Sequence, residues 1–155
     1  MSATMSPPVP ILFLNGPNAN LYGLDPDGTY GTESFPALKA RCERHAEGLG
    51  VALDFRQSNH EGVLIDWIQE ARGRAAGLVI NAAGLTYTSV AILDALLAFP
   101  GPIIEAHMSN IWKREPFRHH SYVSRAATGV IAGLGGLGYE LAITAVTTLV
   151  REARA

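Results

Sequence analysis

The sequence predicts an α/β fold: one domain with a mostly parallel sheet and helices on both of its faces. Two observations predict it. Five short apolar runs, several closed by Asn, Gly or Pro, alternate with segments of helical spacing. The length of 155 residues, 48% of them hydrophobic, also suits one domain that buries about 70% of its unfolded surface.

Residues 10–14 read as a buried strand, broken by Asn15-Gly16-Pro17 and followed by a long polar loop over 15–31. Ser34 as N-cap, with Pro36 in the first turn, opens a helix that runs to about Leu49, where Gly50 stops it. Residues 51–56 alternate as a second strand. Val63, Leu64, Trp67, Ile68 and Ala71 fall at helical spacing, so a helix is expected over 61–74. Residues 77–81 form a third strand ending at Ala82-Ala83-Gly84, and 88–99 a helix stopped by Pro100-Gly101-Pro102. Residues 103–107 form a fourth strand, leading into a polar loop with Arg114, Glu115 and Pro116. Residues 129–132 form a fifth, and 138–152 a long final helix. Residues 1–9, with neither a basic start nor an apolar centre, are expected to be a disordered tail and not a signal peptide. Residues 10–155 are expected to form the single domain.

Charge narrows the function classes. Twelve Lys and Arg against fourteen Asp and Glu give a net charge of −2, which argues against a general nucleic-acid binder. Ten of the twelve cations are arginines, which suits small anionic ligands, although GC-rich codon usage produces the same bias. A single cysteine, Cys42, excludes an internal disulfide. No apolar run approaches a bilayer span, so neither a membrane nor nucleic acid is an expected partner, and the cytoplasm is the expected location.

In parallel sheets, ligands sit beyond the carboxyl ends of the strands, where the strand order reverses. The loops after strands one, three and four hold the polar, non-periodic residues. The run Gly133-Leu134-Gly135-Gly136-Leu137-Gly138 spells a dinucleotide-type G-x-G-x-x-G, but no strand follows it to supply a ribose-binding acid. A tight turn with close helix packing is the better reading. Adjacent His119 and His120 lack further metal-ligand spacing, and no serine elbow is present. Glu105 and His107 are two apart on an extended strand and share a face, so Glu105 can hold an imidazole nitrogen. A general acid at His107 and a structural hydrogen-bonded pair fit that spacing equally. Tyr30, in a Gly-rich loop, reads from spacing alone as a loop anchor before a catalyst.

Four motifs then occur in register along residues 11–149. They are Asn15-Gly16-Pro17-Asn18-Ala19-Asn20 with Tyr30-Gly31, Asn81-Ala82-Ala83-Gly84-Leu85-Thr86, Glu105-Ala106-His107-Met108-Ser109-Asn110, and Arg114-Glu115-Pro116-Phe117-Arg118-His119-His120-Ser121. Together with Arg56-Gln57-Ser58 and Asp66-Trp67-Ile68, they resemble type II 3-dehydroquinate dehydratase. The resemblance implies a flavodoxin-like three-layer sandwich with a five-stranded parallel sheet in the order 2-1-3-4-5. It implies a homo-oligomer, typically a dodecamer of trimers, and anti-elimination of water from 3-dehydroquinate through an enolate, with no cofactor, metal or Schiff base. Tyr30 matches the base, and Asn18 the group holding the water that stabilises the enolate. His107 matches the acid and Glu105 the residue that orients it. Asn81, Met108 and Ser109 match substrate contacts, Arg118 a clamp on ring hydroxyls, and Asp94 an acid reaching the site from a neighbouring subunit.

Three positions depart from the family pattern. Asp25 stands where the family's mobile loop carries an essential arginine, Tyr87 replaces a histidine that touches substrate hydroxyls, and Leu93 replaces an arginine beside Asp94. Ionising a free tyrosine at pH 7 costs roughly 4 kcal/mol, and a nearby cation lowers that cost. With Asp25, Tyr30 is expected to lack its local positive partner and turnover to be weak; Arg114 is the one obvious cation in a second matching loop. The readings are a dehydratase with a rewired loop, the same elimination on a different hydroxylated substrate, and a non-catalytic binding or assembly protein. Aromatic biosynthesis and quinate breakdown both fit the first.

Overall fold

The computed structural model describes residues 7–25 and 27–155. Strands β1 (Val9–Asn15), β2 (Val51–Gln57), β3 (Gly77–Asn81), β4 (Ile103–His107) and β5 (Gly129–Ala132) pair in parallel in the order 2-1-3-4-5. Helices α1 (Phe35–Gly48), α2 (Glu61–Ala71), α3 (Val90–Leu97) and α4 (Gly135–Arg154) cover the sheet.

Strand β1 shows why two cores form. Its side chains alternate, so Ile11 and Phe13 enter the core containing Leu38 and Cys42 of α1 and Tyr139, Ile143 and Val146 of α4. Leu12 and Leu14 enter the opposite core, with Leu64 and Ile68 of α2 and Ile92 and Leu96 of α3. A strand buried on both faces reads as a continuous apolar run, which is how Ile11-Leu12-Phe13-Leu14 reads. The three-layer expectation therefore holds, and so does the strand order.

The main boundary differences are four. Residues 1–6 of the expected tail lie outside the described residues, but Val9 is not tail: it starts β1, is buried, and its N–H donates to the Gly50 carbonyl at 3.3 Å. Helix α2 ends at Ala71, three residues early, because Arg72 is already extended and Gly73 is left-handed at φ 78°. Helix α3 begins at Val90, since Ser89 Oγ accepts the Ile92 N–H at 2.9 Å and residues 83–87 form a separate 3-10 turn. Helix α4 begins at Gly135 instead of 138.

The glycine run before α4 is a packing turn, as expected. Gly133 and Gly135 are left-handed, at φ 91° and 56°, and a Cβ on Gly133 would lie 2.9 Å from Asn110 Cβ. Their N–H groups donate to the carbonyls of His107, at 3.2 Å, and Met108, at 3.0 Å. Those donors are committed to the end of β4, not offered to a phosphate. No helix among the described residues is long and apolar enough to cross a membrane.

Candidate active site

The strand order reverses between β1 and β3, which carry Asn15 and Asn81 paired in register at their carboxyl ends. The adjacent β4 ends at His107. Residues from the loops that follow β1, β3 and β4 meet above this point.

The parallel register puts Glu105 and His107 on one face of β4, both buried. His107 Nε2 lies 2.5 Å from Glu105 Oε2. That oxygen also accepts the Ser121 hydroxyl at 2.9 Å, and the Ser124 hydroxyl donates to Oε1. Burial alone would raise the Glu105 pKa, but the hydrogen bonds from His107, Ser124 and Ser121 outweigh it and bring it below the ordinary carboxylate value. An ionised, fully bonded Glu105 holds one imidazole nitrogen and leaves the other for a substrate.

Tyr30 faces the same cavity from the loop after β1. Arg114 Nη1 donates to its hydroxyl at 3.0 Å and to Ser109 Oγ at 3.2 Å, and the guanidinium carbon lies 5.6 Å from the Tyr30 ring centre. The expectation that Tyr30 lacks a cationic partner is therefore overturned: the loop after β4 supplies it. Asp25 bends back on its own loop. Its Oδ1 accepts the Asp27 N–H at 3.3 Å, and its Oδ2 lies close over Gly28, 2.9 Å from where a Cβ there would sit.

The Tyr87 ring lies nearly parallel to that of His107, at 19° with ring centres 6.5 Å apart, and the Arg118 guanidinium carbon lies 5.3 Å from the Tyr87 ring centre. Burial raises the Tyr87 pKa, opposed by Arg118. Arg118 Nε donates to Glu115 Oε2 at 2.7 Å, and the same oxygen lies 3.7 Å from Arg114 Nε, so one carboxylate spans two arginines at the rim.

Most sequence-predicted residues converge here. Tyr30, Asn81, Tyr87, His107, Met108, Ser109 and Arg118 line an inner cavity of about 20 Å³, room for one water, with Arg114 and Tyr22. Asn18 lines a neighbouring outer cleft of about 460 Å³, together with Asp25, Tyr22 and Tyr30. Asn81 is more structural than expected. Its Nδ2 donates to the Tyr22 hydroxyl at 3.0 Å and the Tyr139 hydroxyl at 2.7 Å, while its Oδ1 accepts the Ala83 N–H at 3.1 Å. Asp94 lies exposed on α3 and lines neither space. Among the described residues, no three His, Cys, Asp or Glu side chains gather as a metal site.

The sequence reading missed Tyr22, Tyr139, Ser121 and Ser124 as supports. Tyr22, an aromatic residue in a polar loop, was the one visible signal; the others act across long sequence separations.

A parallel α/β sandwich with a buried Glu–His pair and a cation-held tyrosine at its switch point defines an acid–base enzyme site. The family model described as Dehydroquinase class II matches residues 9–147, and the chain belongs to that family. It is 55% identical over 133 residues to 3-dehydroquinate dehydratase 2 of Pseudomonas aeruginosa, covering 86% of this chain and 90% of that one. It is 51% identical over 142 residues to the catabolic 3-dehydroquinase of Aspergillus clavatus, covering 92% and 95%. The crystal structure of type II dehydroquinase from Propionibacterium acnes superposes with a TM-score of 0.87 at 42% identity, covering 94% of this chain and 99% of that one.

Proposed function

We propose that the chain performs the reversible anti-elimination of water from 3-dehydroquinate, giving 3-dehydroshikimate, with Tyr30 as base and His107 as acid. As a member of the type II 3-dehydroquinate dehydratase family it is a hydro-lyase. The observation that carries the residue roles is the cavity where a cation-held phenol and a carboxylate-held imidazole face the same space.

The Tyr30 phenolate takes the proton alpha to the ketone and an enolate forms. Arg114 stabilises the phenolate by charge and hydrogen bond. Asn18 holds the water that stabilises the enolate. The enolate then re-forms the ketone, the conjugated C=C bond is made, and the C–O bond to the leaving hydroxyl breaks as His107 protonates it, releasing water. Glu105 keeps His107 oriented and stabilises its protonated form. The Ser109 hydroxyl and the Met108 backbone take the substrate carboxylate; Asn81 is a further substrate contact; Tyr87 and Arg118 take the ring hydroxyls; Asp94 serves a neighbouring subunit.

The assembly is a homo-oligomer, a dodecamer of trimers, located in the cytoplasm. This dehydration serves both the shikimate route to aromatic amino acids and the breakdown of quinate; induction by quinate as carbon source would assign the chain to the second. The primary test is absorbance of the conjugated enone product. His107→Ala is expected to lower turnover of 3-dehydroquinate by about 10²–10⁴-fold with the fold retained. A folded variant keeping more than about a tenth of the parent rate would remove His107 as the acid.

A further inference from the structure

Tyr30 sits in a loop bracketed by Gly23 and Gly31, both left-handed at φ 86° and 76°, and it is 37% exposed. Among the described residues of that loop, none hydrogen-bonds to its hydroxyl or packs an aromatic ring on it. Two contacts from outside the loop's tip hold it: Arg114 on the hydroxyl, and Tyr22 beneath the ring, with centroids 4.8 Å apart and planes tilted by 35°. Tyr22 is itself immobilised. It is 6% exposed and packs against Phe35 of α1 at 6.5 Å. Its hydroxyl accepts from Asn81 at the end of β3. Asn81 also donates to Tyr139 of α4, whose hydroxyl donates to Asn15 Oδ1 at the end of β1, at 2.7 Å. A rigid aromatic ring is thus pinned, directly or through Asn81 and Tyr139, to four elements of the scaffold and set under a base carried on a glycine-bracketed loop.

We infer that Tyr22 is a positioning residue: its ring is the floor that fixes the plane of the Tyr30 phenol between the outer cleft and the His107 cavity, both of which the two tyrosines line. This rests on Tyr30 being the base. Tyr22 acts through Tyr30, because its own hydroxyl is engaged by Asn81. A flat face restricts ring tilt in a way that an aliphatic side chain of similar bulk does not. Small misplacements of a reacting group are costly in rate and nearly neutral for binding.

The test compares Tyr22→Leu, Tyr22→Phe and Tyr30→Phe, assayed with 3-dehydroquinate beside circular dichroism and thermal melts. Tyr22→Leu is expected to lower kcat about tenfold to a hundredfold while KM stays within about twofold. Tyr22→Phe, which keeps the ring and loses the hydroxyl, is expected to retain at least about half of the parent kcat, since burial and the packing against Phe35 still hold the flat face under Tyr30. If Tyr22→Leu does not fold, Tyr22→Met, which fills more of the space without a flat face, takes its place with the same expected loss. Parent-like kcat in the folded Leu or Met variant, or an equal loss in Leu and Phe, overturns the inference and leaves the base assignment standing. Substantial activity in folded Tyr30→Phe overturns both.

Discussion

Arg114 changes the reading of Asp25. A carboxylate where the family carries an essential arginine looks unfavourable for a phenolate, yet the cation arrives from the loop after β4, at 3.0 Å from the Tyr30 hydroxyl. One carboxylate oxygen of Asp25 turns onto its own loop, where Oδ1 accepts the Asp27 N–H. Arg114→Ala is accordingly expected to lower kcat/KM by about tenfold to a hundredfold, the range for losing a charge-assisted hydrogen bond. Asp25→Arg is expected to stay within about threefold of the parent, the scale of an exposed charge term. Steady-state kinetics on both variants decide it: a large gain from Asp25→Arg would show that Arg114 leaves Tyr30 short of positive charge. The sequence made both residues visible as candidates. It did not reveal which one reaches Tyr30, because that depends on the backbone path of two loops separated by 84 residues.

Elements meet at a polar knot above the sheet, where Asn15 of β1, Asn81 of β3, Tyr139 of α4 and Tyr22 hydrogen-bond in series. Burial, with the neighbouring Tyr30 next, pushes the Tyr22 phenol up to about 12, and burial first holds Tyr139 well above its ordinary value. The sign follows from linkage. A phenol whose folded pKa lies above its unfolded value stabilises the fold fully below the unfolded value of 10.0, and that stability is lost as pH rises towards about 12. Urea unfolding is therefore expected to show a falling midpoint between about pH 10 and 12. Tyr22→Phe should flatten that fall while costing about 1 kcal/mol near neutrality for the lost hydrogen bond. An unchanged slope in the variant would mean that Tyr22 does not titrate with unfolding. Element identity was legible in the sequence because period and breakers announced it; ends were not, as Ser89 capping α3 and the left-handed Gly73 closing α2 show. The knot was invisible because its members lie on separate elements and only the sheet register brings Asn15 beside Asn81.

The order 2-1-3-4-5 leaves β2 and β5 as the sheet's open edges. Val130 on β5 is 49% exposed, and Leu134, Leu137 and Leu141, which share a face at the start of α4, are 49%, 48% and 42% exposed. An apolar stripe beside an unpaired strand edge invites association unless another copy covers it. This is the physical support, at the scale of the molecule, for the proposed oligomer; Asp94, exposed on α3 and absent from the lining of its own chain's cavity, fits a contribution to a neighbour's site. Leu137→Glu places a charge in the middle of the stripe, at a position open enough to accept it within one chain. Light scattering at micromolar concentration is expected to show a multimer for the parent and a smaller species for the variant, with the same helical content by circular dichroism. The substituted chain should also lose activity, because a site that borrows Asp94 is incomplete in an isolated subunit. A parent that runs as a monomer would remove both the oligomer and the shared site. A variant that keeps the parent mass would instead move the interface away from the β5 edge.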